Sequence, residues 1–290
     1  MKRQKRFNYF YIPAMILVLF FVAYPFVNAL IISFHKWNGY STSKTFVGLD
    51  NYIRMFTEDK TFFRTLCNTM VYGFGSTLLD CVLGLFLAIF LNMKFPGRNF
   101  VRTVIYLPVL ISNLIMGYVM YFIFQYDHGA LNEILNAFGV SSVDLLASRT
   151  SAVLIITLVN AWQFVGNSMI IFLAGLQGIP EYYYEAAEMD GATIWQQFKN
   201  ITWPLLLPST ASAVVLNLIG GLKLYELIIA LTGGGPAKGS HSLSTFIANE
   251  YFSSEKAGYA AAVGIFSFLF IMIVANVANG YFRRKERTLE

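Results

Sequence analysis

The sequence predicts an all-α membrane protein that crosses the bilayer six times, with a helix-turn-helix on the cytoplasmic side between the fourth and fifth crossings. Three observations lead there. Of its 290 residues, 56% are hydrophobic and only 13% charged, with a mean hydropathy of +0.56; a soluble globular chain carries about 25% charge. The apolar residues gather in runs long enough to span, because a helix rising about 1.5 Å per residue needs about 20 residues to cross about 30 Å of hydrocarbon. These runs are continuously apolar and do not alternate, which favours helices over a barrel. No charged stretch is long enough to build a separate soluble domain, so one membrane domain over residues 1–290 is the economical reading.

The first span, at about 9–34, follows Lys2, Arg3, Lys5 and Arg6. It continues through Tyr24-Pro25-Phe26, well beyond the roughly 7–15 residues of a cleavable h-region, and reads as a retained anchor. The second, at about 66–92, is broken only by Asp80. The third lies at about 104–124 and the fourth at about 152–176, within an uncharged stretch. The fifth, at about 205–231, carries Lys223 and Glu226 near its far end, three residues apart and within pairing reach on a helix. The sixth is at about 257–281.

Basic residues set the orientation, since short loops rich in Lys and Arg stay in the cytoplasm. Lys94, Arg98 and Arg102 fall between spans two and three, and Arg283, Arg284, Lys285 and Arg287 follow span six. Together with the basic start, this places both termini in the cytoplasm of a bacterial or archaeal plasma membrane. Residues 178–203 then face the cytoplasm, and the loops around Asp50, Asp144 and Lys238 face outward. The net charge of +5 is a topology signal, with no nucleic-acid footprint implied.

Cys67 and Cys81 are fourteen residues apart on one predicted helix. That is about 21 Å along its axis, too far for a disulfide, and both read as small packing residues. The two Cys and three His show no metal-ligand spacing, and no cofactor is expected. A Gly-x-x-x-x-Gly-Lys-Ser/Thr phosphate loop is absent; Gly233 to Ser240 comes nearest, with Lys238-Gly239 in reversed order. Neither a Gly-x-Ser-x-Gly elbow nor a His-Glu-x-x-His helix occurs, so the chain is not expected to be an enzyme and its energy source is placed on another polypeptide.

The insert at 178–203 is far longer than the 2 to 8 residues that usually join two helices. Pro180 suits a first helical turn, and Glu181, Glu185 and Glu188 then fall at i, i+4 and i+7 on one face, beside Tyr184 and Ala187. Gly191 permits a sharp change of direction, and a second short helix is predicted from residue 192 to 201, ending at Pro204. A helix lying on an anionic lipid surface would carry Lys and Arg. This one carries Glu, and a positively charged protein groove suits it better.

The run Glu185-Ala186-Ala187-Glu188-Met189-Asp190-Gly191, continuing to Ile201-Thr202-Trp203-Pro204, resembles the Glu-Ala-Ala loop of ABC-importer permeases, with Trp203 where Leu is usual. Three further segments resemble carbohydrate-uptake permeases of this superfamily, of the maltose or multiple-sugar type: Phe46-Val47-Gly48-Leu49-Asp50-Asn51-Tyr52 with Asn68-Thr69, then Leu173-Ala174-Gly175-Leu176-Gln177-Gly178-Ile179-Pro180, and Leu231-Thr232-Gly233-Gly234-Gly235-Pro236-Ala237. The resemblance implies that Glu185, Ala186, Ala187, Glu188, Asp190 and Gly191 form a coupling helix docked on an ATPase subunit. It also implies a homologous second permease, two ATPase subunits and an extracytoplasmic sugar-binding protein as partners, besides membrane lipid.

Asn160, Gln163 and Asn167 form a polar stripe on span four beside Trp162, and Asn217, Gly221 and Tyr225 follow on span five. Amides and aromatic rings suit a sugar, whose hydroxyls need paired donors and acceptors. The same residues also suit hydrogen bonding between helices or subunits. The resemblance places a substrate site here. An ion-coupled secondary transporter using Asp80 as its relay is the alternative.

Overall fold

The structure, a computed structural model, describes residues 11–287. Lys2, Arg3, Lys5, Arg6 and the first residues of the first predicted span lie outside them. Four described helices are long and apolar enough to cross a membrane: α1 (Ile12–Ser33), α3 (Lys60–Asn92), α7 (Arg149–Gln177) and α13 (Ala257–Arg287). Two bent pairs, α4 with α5 (Arg98–Leu110 and Asn113–Phe124) and α9 with α10 (Ile194–Leu205 and Leu207–Leu222), bring the crossings to six if each pair is one span. Shorter helices are α2 (Asp50–Thr57), α6 (Ala130–Ala137), α8 (Tyr182–Met189), α11 (Glu226–Thr232) and α12 (Leu243–Ala248). The one sheet among the described residues is a two-stranded antiparallel hairpin, β1 (His35–Lys36) with β2 (Thr45–Phe46).

Chain contacts define two compact units, one of residues 11–59 with 246–268 and one of 60–245 with 269–287. In the smaller unit, the most apolar stretch of α1 has no residue buried within the chain, so lipid or another subunit must cover it. The helix loosens into a π turn at Leu19–Ala23, just before Pro25, which has no N–H to give to the preceding turn. Past α1, Asn51 of α2 donates to the carbonyls of Ser33 and His35 at 2.8 and 3.1 Å, and Tyr52 Oη lies 2.8 Å from Ser33 Oγ. Asn51-Tyr52 thus ties the hairpin to the end of α1, satisfying carbonyls that the helix terminus leaves unpaired.

The larger unit is built around α7. This helix packs against α3 along most of the α3 C-terminal half and also meets α10 and α4. It has 61% of its most apolar window buried, against 33% for α3, which identifies it as the central helix. Ala88, Leu91, Met169, Phe172, Leu173, Leu176, Leu206 and Ala213 form one apolar cluster. A second gathers Tyr72, Met116, Ile156, Val159, Leu227, Ile228 and Leu231.

Buried polar groups pin the Gly-rich segment after α11. Asn68 donates to the carbonyls of Gly239 and His241 at 2.7 and 3.0 Å and accepts from Arg149 Nη2 at 3.0 Å. Tyr72 Oη donates to Ser240 O at 2.7 Å, and Thr69 Oγ1 accepts from the Leu243 amide at 2.8 Å. Buried non-helical backbone is tolerated where such partners satisfy it.

Three predicted spans are corrected. The second begins earlier than expected, at Lys60, because amphipathic Lys60–Met70 joins the apolar helix without a break. The third is no single helix: α4 and α5 meet at 98°. Pro108 tightens the end of α4 into a 3₁₀ turn, and Ser112 caps α5 by accepting from the Ile115 amide. The fifth stops at Leu222, and α11 restarts at Glu226 after Tyr225 leaves helical geometry (φ −135°, ψ −67°). The expected helical pairing of Lys223 with Glu226 is therefore lost, since the i, i+3 spacing no longer falls on one helix.

Candidate functional site

Residues 178–205 contain a short helix, a turn at Gly191 and a second helix. α8 begins at Tyr182, with Glu181 at its N-cap, so Pro180 precedes the helix and does not open its first turn as predicted. The helix closes on Gly191, whose φ of +75° only glycine adopts without strain. There the Gly191 amide donates to Glu188 O at 3.0 Å and the Ala192 amide to Ala187 O at 2.9 Å, satisfying carbonyls of the last turn. Thr193 and Gln196 then cap α9 reciprocally.

The second helix does not end at Pro204. It passes through a π turn at Phe198–Thr202 and continues to Leu205, where the chain bends by 64° into α10. Pro204 has no N–H for the turn before it, which accounts for the widening. Tyr184 Oη lies 2.9 Å from Thr202 Oγ1 and fastens the two arms together. Trp203, 6.4 Å from the Phe198 ring, keeps an apolar contact at the position where Leu was expected.

Glu185, Ala186, Glu188, Asp190 and Gly191 are exposed, while Ala187 is half-buried. Sequence reasoning centred on the carboxylates and missed the apolar tip between them: Met189, Ile194 and Trp195 are 89%, 85% and 68% exposed. Large apolar side chains exposed this fully, beside acidic ones, mark a surface for another protein. The Trp195 ring stacks on Phe198 at 5.6 Å, which holds it in place. The Tyr182 hydroxyl is held above its usual range first by its own hydrogen bond to Tyr183.

The second site is a cavity of ≈470 Å³ in the larger unit, within the range of small-molecule pockets. Asn160 and Asn167 of α7 and Asn217 and Gly221 of α10 line it; Asp80, Asn113, Lys223 and Glu226 join them. Asn217 Nδ2 donates to Ser168 Oγ at 2.6 Å, which ties α10 to α7 beside the cavity.

Two predicted lining residues are elsewhere. Tyr225 sits in the break between α10 and α11 and does not line the cavity. Gln163 is fully buried and serves the α4–α5 bend, its Nε2 donating to Ile111 O at 2.9 Å. The Ile111 carbonyl lies where helical bonding stops, and the glutamine replaces the missing donor. Gln163→Leu would leave this carbonyl unpaired and is expected to cost about 1–3 kcal/mol, read as a lowered thermal midpoint of the purified complex. Asn113 was missed because the cap that positions it belongs to a bend the apolar run conceals.

These features define a class: a helical membrane protein with a polar cavity between its helices and an exposed acidic and apolar hairpin. Residues 81–288 match the family described as binding-protein-dependent transport system inner membrane component, and the chain belongs to it. It is 33% identical over 285 residues to the trehalose/maltose transport system permease protein MalF of Thermococcus litoralis, covering 97% of this chain and 96% of that one. To the multiple sugar-binding transport system permease protein MsmF of Streptococcus mutans it is 34% identical over 268 residues, covering 92% and 91%. Among solved structures it resembles a chain of the bacterial alginate ABC transporter in complex with an alginate pentasaccharide-bound periplasmic protein, with a TM-score of 0.81, 27% identity, and 95% and 93% of the two chains covered.

The chain is thus an inner-membrane, multi-pass permease subunit of an ABC importer, with ATP hydrolysis on a separate subunit. The ion-coupled alternative built on Asp80 is set aside by this membership.

Proposed function

We propose that this chain forms, with a homologous second permease, the translocation path of a sugar importer, and that residues 178–203 carry the force of ATP-driven closure into the membrane. The observation that carries this reading is the braced hairpin whose acidic and apolar tip, Glu185, Glu188, Met189, Ile194 and Trp195, is left exposed. A positively charged and apolar cleft on one of the two ATPase subunits fits that tip. Because α9 runs into α10 through only a single bend, displacement of the tip moves the helix that supplies Asn217 and Gly221 to the cavity.

The basic residues Lys94, Arg98 and Arg102, and Arg283, Arg284, Lys285 and Arg287 after the last crossing, support a topology with both termini and the hairpin in the cytoplasm. The outward loops then face an extracytoplasmic binding protein. The amide-rich cavity formed by Asn160, Asn167 and Asn217 suits a mono- or oligosaccharide, in keeping with the sugar substrates named for the relatives.

The test is reconstitution. With its partner permease, ATPases and binding protein, the complex is expected to import the receptor's sugar only with ATP, while the permeases alone stay inert under an imposed proton or sodium gradient. Uptake driven by the gradient alone would refute the proposal. Within the active complex, Asn167→Ala is expected to lower uptake about tenfold, the effect of one or two lost polar contacts. Uptake unchanged by that substitution would remove Asn167 from the path.

A further inference from the structure

We infer that Asp80 is a substrate-contacting residue, its carboxyl taking a hydrogen-bond donor from the sugar held in the cavity. This rests on the reading of that cavity as the translocation path. Among the described residues, four buried side-chain atoms have no hydrogen-bond partner: Thr65 Oγ1, Arg102 Nε, Gln163 Oε1 and Asp80 Oδ1. Of the four residues, only Asp80 lines the cavity.

The neighbours of Asp80 on α3 sharpen the contrast. Thr77 Oγ1 donates to Gly73 O at 2.6 Å, and Ser76 Oγ donates to Tyr72 O, so each polar group one turn away is satisfied within its own helix. Asp80 is equally buried, at 1% exposure, and has no such partner for Oδ1. A carboxyl inside a membrane helix is costly and persists where it meets a partner or a path. Leaving one of its oxygens unpaired adds the full desolvation cost of that group.

The cavity supplies what the fold withholds. Its other polar lining includes the amides of Asn113, Asn160, Asn167 and Asn217, while Lys223 and Glu226 lie exposed at its edge. A sugar between these amides presents hydroxyls to Asp80, and an amino sugar presents an ammonium. Both are donors, and the carboxyl accepts from either.

The test uses the purified complex of this chain with its partner permease and ATPases in nanodiscs, read by equilibrium binding of maltose, the set of monodeoxy maltoses, and the disaccharide of glucosamine. Asp80→Leu removes the acceptor while keeping the number and branching of heavy atoms, and Asp80→Asn keeps an acceptor without charge. Asp80→Ala stands in if the leucine variant does not assemble. If a hydroxyl is the donor, D80L weakens maltose binding at least tenfold and D80N by no more than about threefold. One monodeoxy maltose then binds wild type and D80L alike. If an ammonium is the donor, both variants weaken the glucosamine disaccharide at least tenfold and leave maltose unchanged.

Equal binding of every probe by wild type and D80L overturns the inference. So does a D80L penalty spread evenly over all the deoxy sugars, which marks a packing role. Asn160→Ala and Asn167→Ala separate the two levels. If they weaken binding and D80L does not, only the Asp80 contact fails. If they too leave every probe unaffected, or wild type binds none, the cavity reading fails with it.

Discussion

Glu185→Lys is expected to leave the two permeases assembled and to abolish ATP-driven uptake. The side chain is exposed on α8, has no side-chain hydrogen bond or ion pair among the described residues, and stands on the same helical face as Glu188. Reversing its charge therefore spares the core and acts on whatever binds the tip. If the ATPase cleft is positively charged, a lysine there replaces attraction by repulsion, and charge reversals at an interface weaken it by roughly tenfold or more. Co-purification of the ATPases and their activity stimulated by the loaded binding protein should both fall, while size-exclusion chromatography of the permease pair stays unchanged. Trp195→Ala acts on the apolar half of the same surface, and its loss should lower ATPase retention without a charge change. Normal uptake by Glu185→Lys would count decisively against the coupling role.

The sequence discloses elements whose cause is local and conceals those whose cause is tertiary. The hairpin at 178–205 was legible because its turn depends on Gly191 and its composition departs from the apolar chain around it. Asn160, Asn167 and Asn217 were legible because an amide within a span has few destinations, and helical spacing places each on a face. Gln163 fits the same pattern but points elsewhere. Its partner, the Ile111 carbonyl, exists only because the chain bends by 98° next to it, and an uninterrupted apolar run hides that bend. The break at 223–225 is hidden for the same reason: Leu224 and Tyr225 continue the hydrophobic pattern while the backbone leaves the helix. Asp80 was visible as an oddity, but its cavity partners come from α5, α7 and α10, which no one-dimensional pattern brings together.

Gly221 was singled out for the substrate path, and the structure gives it a packing duty that a substitution can separate from transport. A Cβ at Gly221 would lie 2.6 Å from the Tyr72 carbonyl oxygen and 2.9 Å from Gly73 Cα, both on the backbone of α3. Neither atom belongs to a flexible side chain, so α10 and α3 would have to move apart. Overpacking of this kind costs about 1–3 kcal/mol for a methyl group, enough to lower the thermal midpoint of the complex, and Gly221→Leu is expected to prevent assembly altogether. Gly220 supplies the control, because a Cβ there meets nothing within 4 Å. Gly220→Ala should keep or slightly raise stability, since alanine favours a helix by up to about 1 kcal/mol over glycine. Both glycines line the cavity, so a purely substrate-facing role would make the two alanine variants alike in uptake and normal in stability. The packing role instead predicts that Gly221→Ala alone loses stability, with uptake per folded complex retained. A Gly221→Ala protein that melts with the wild type would show that the two helices are not held at this distance.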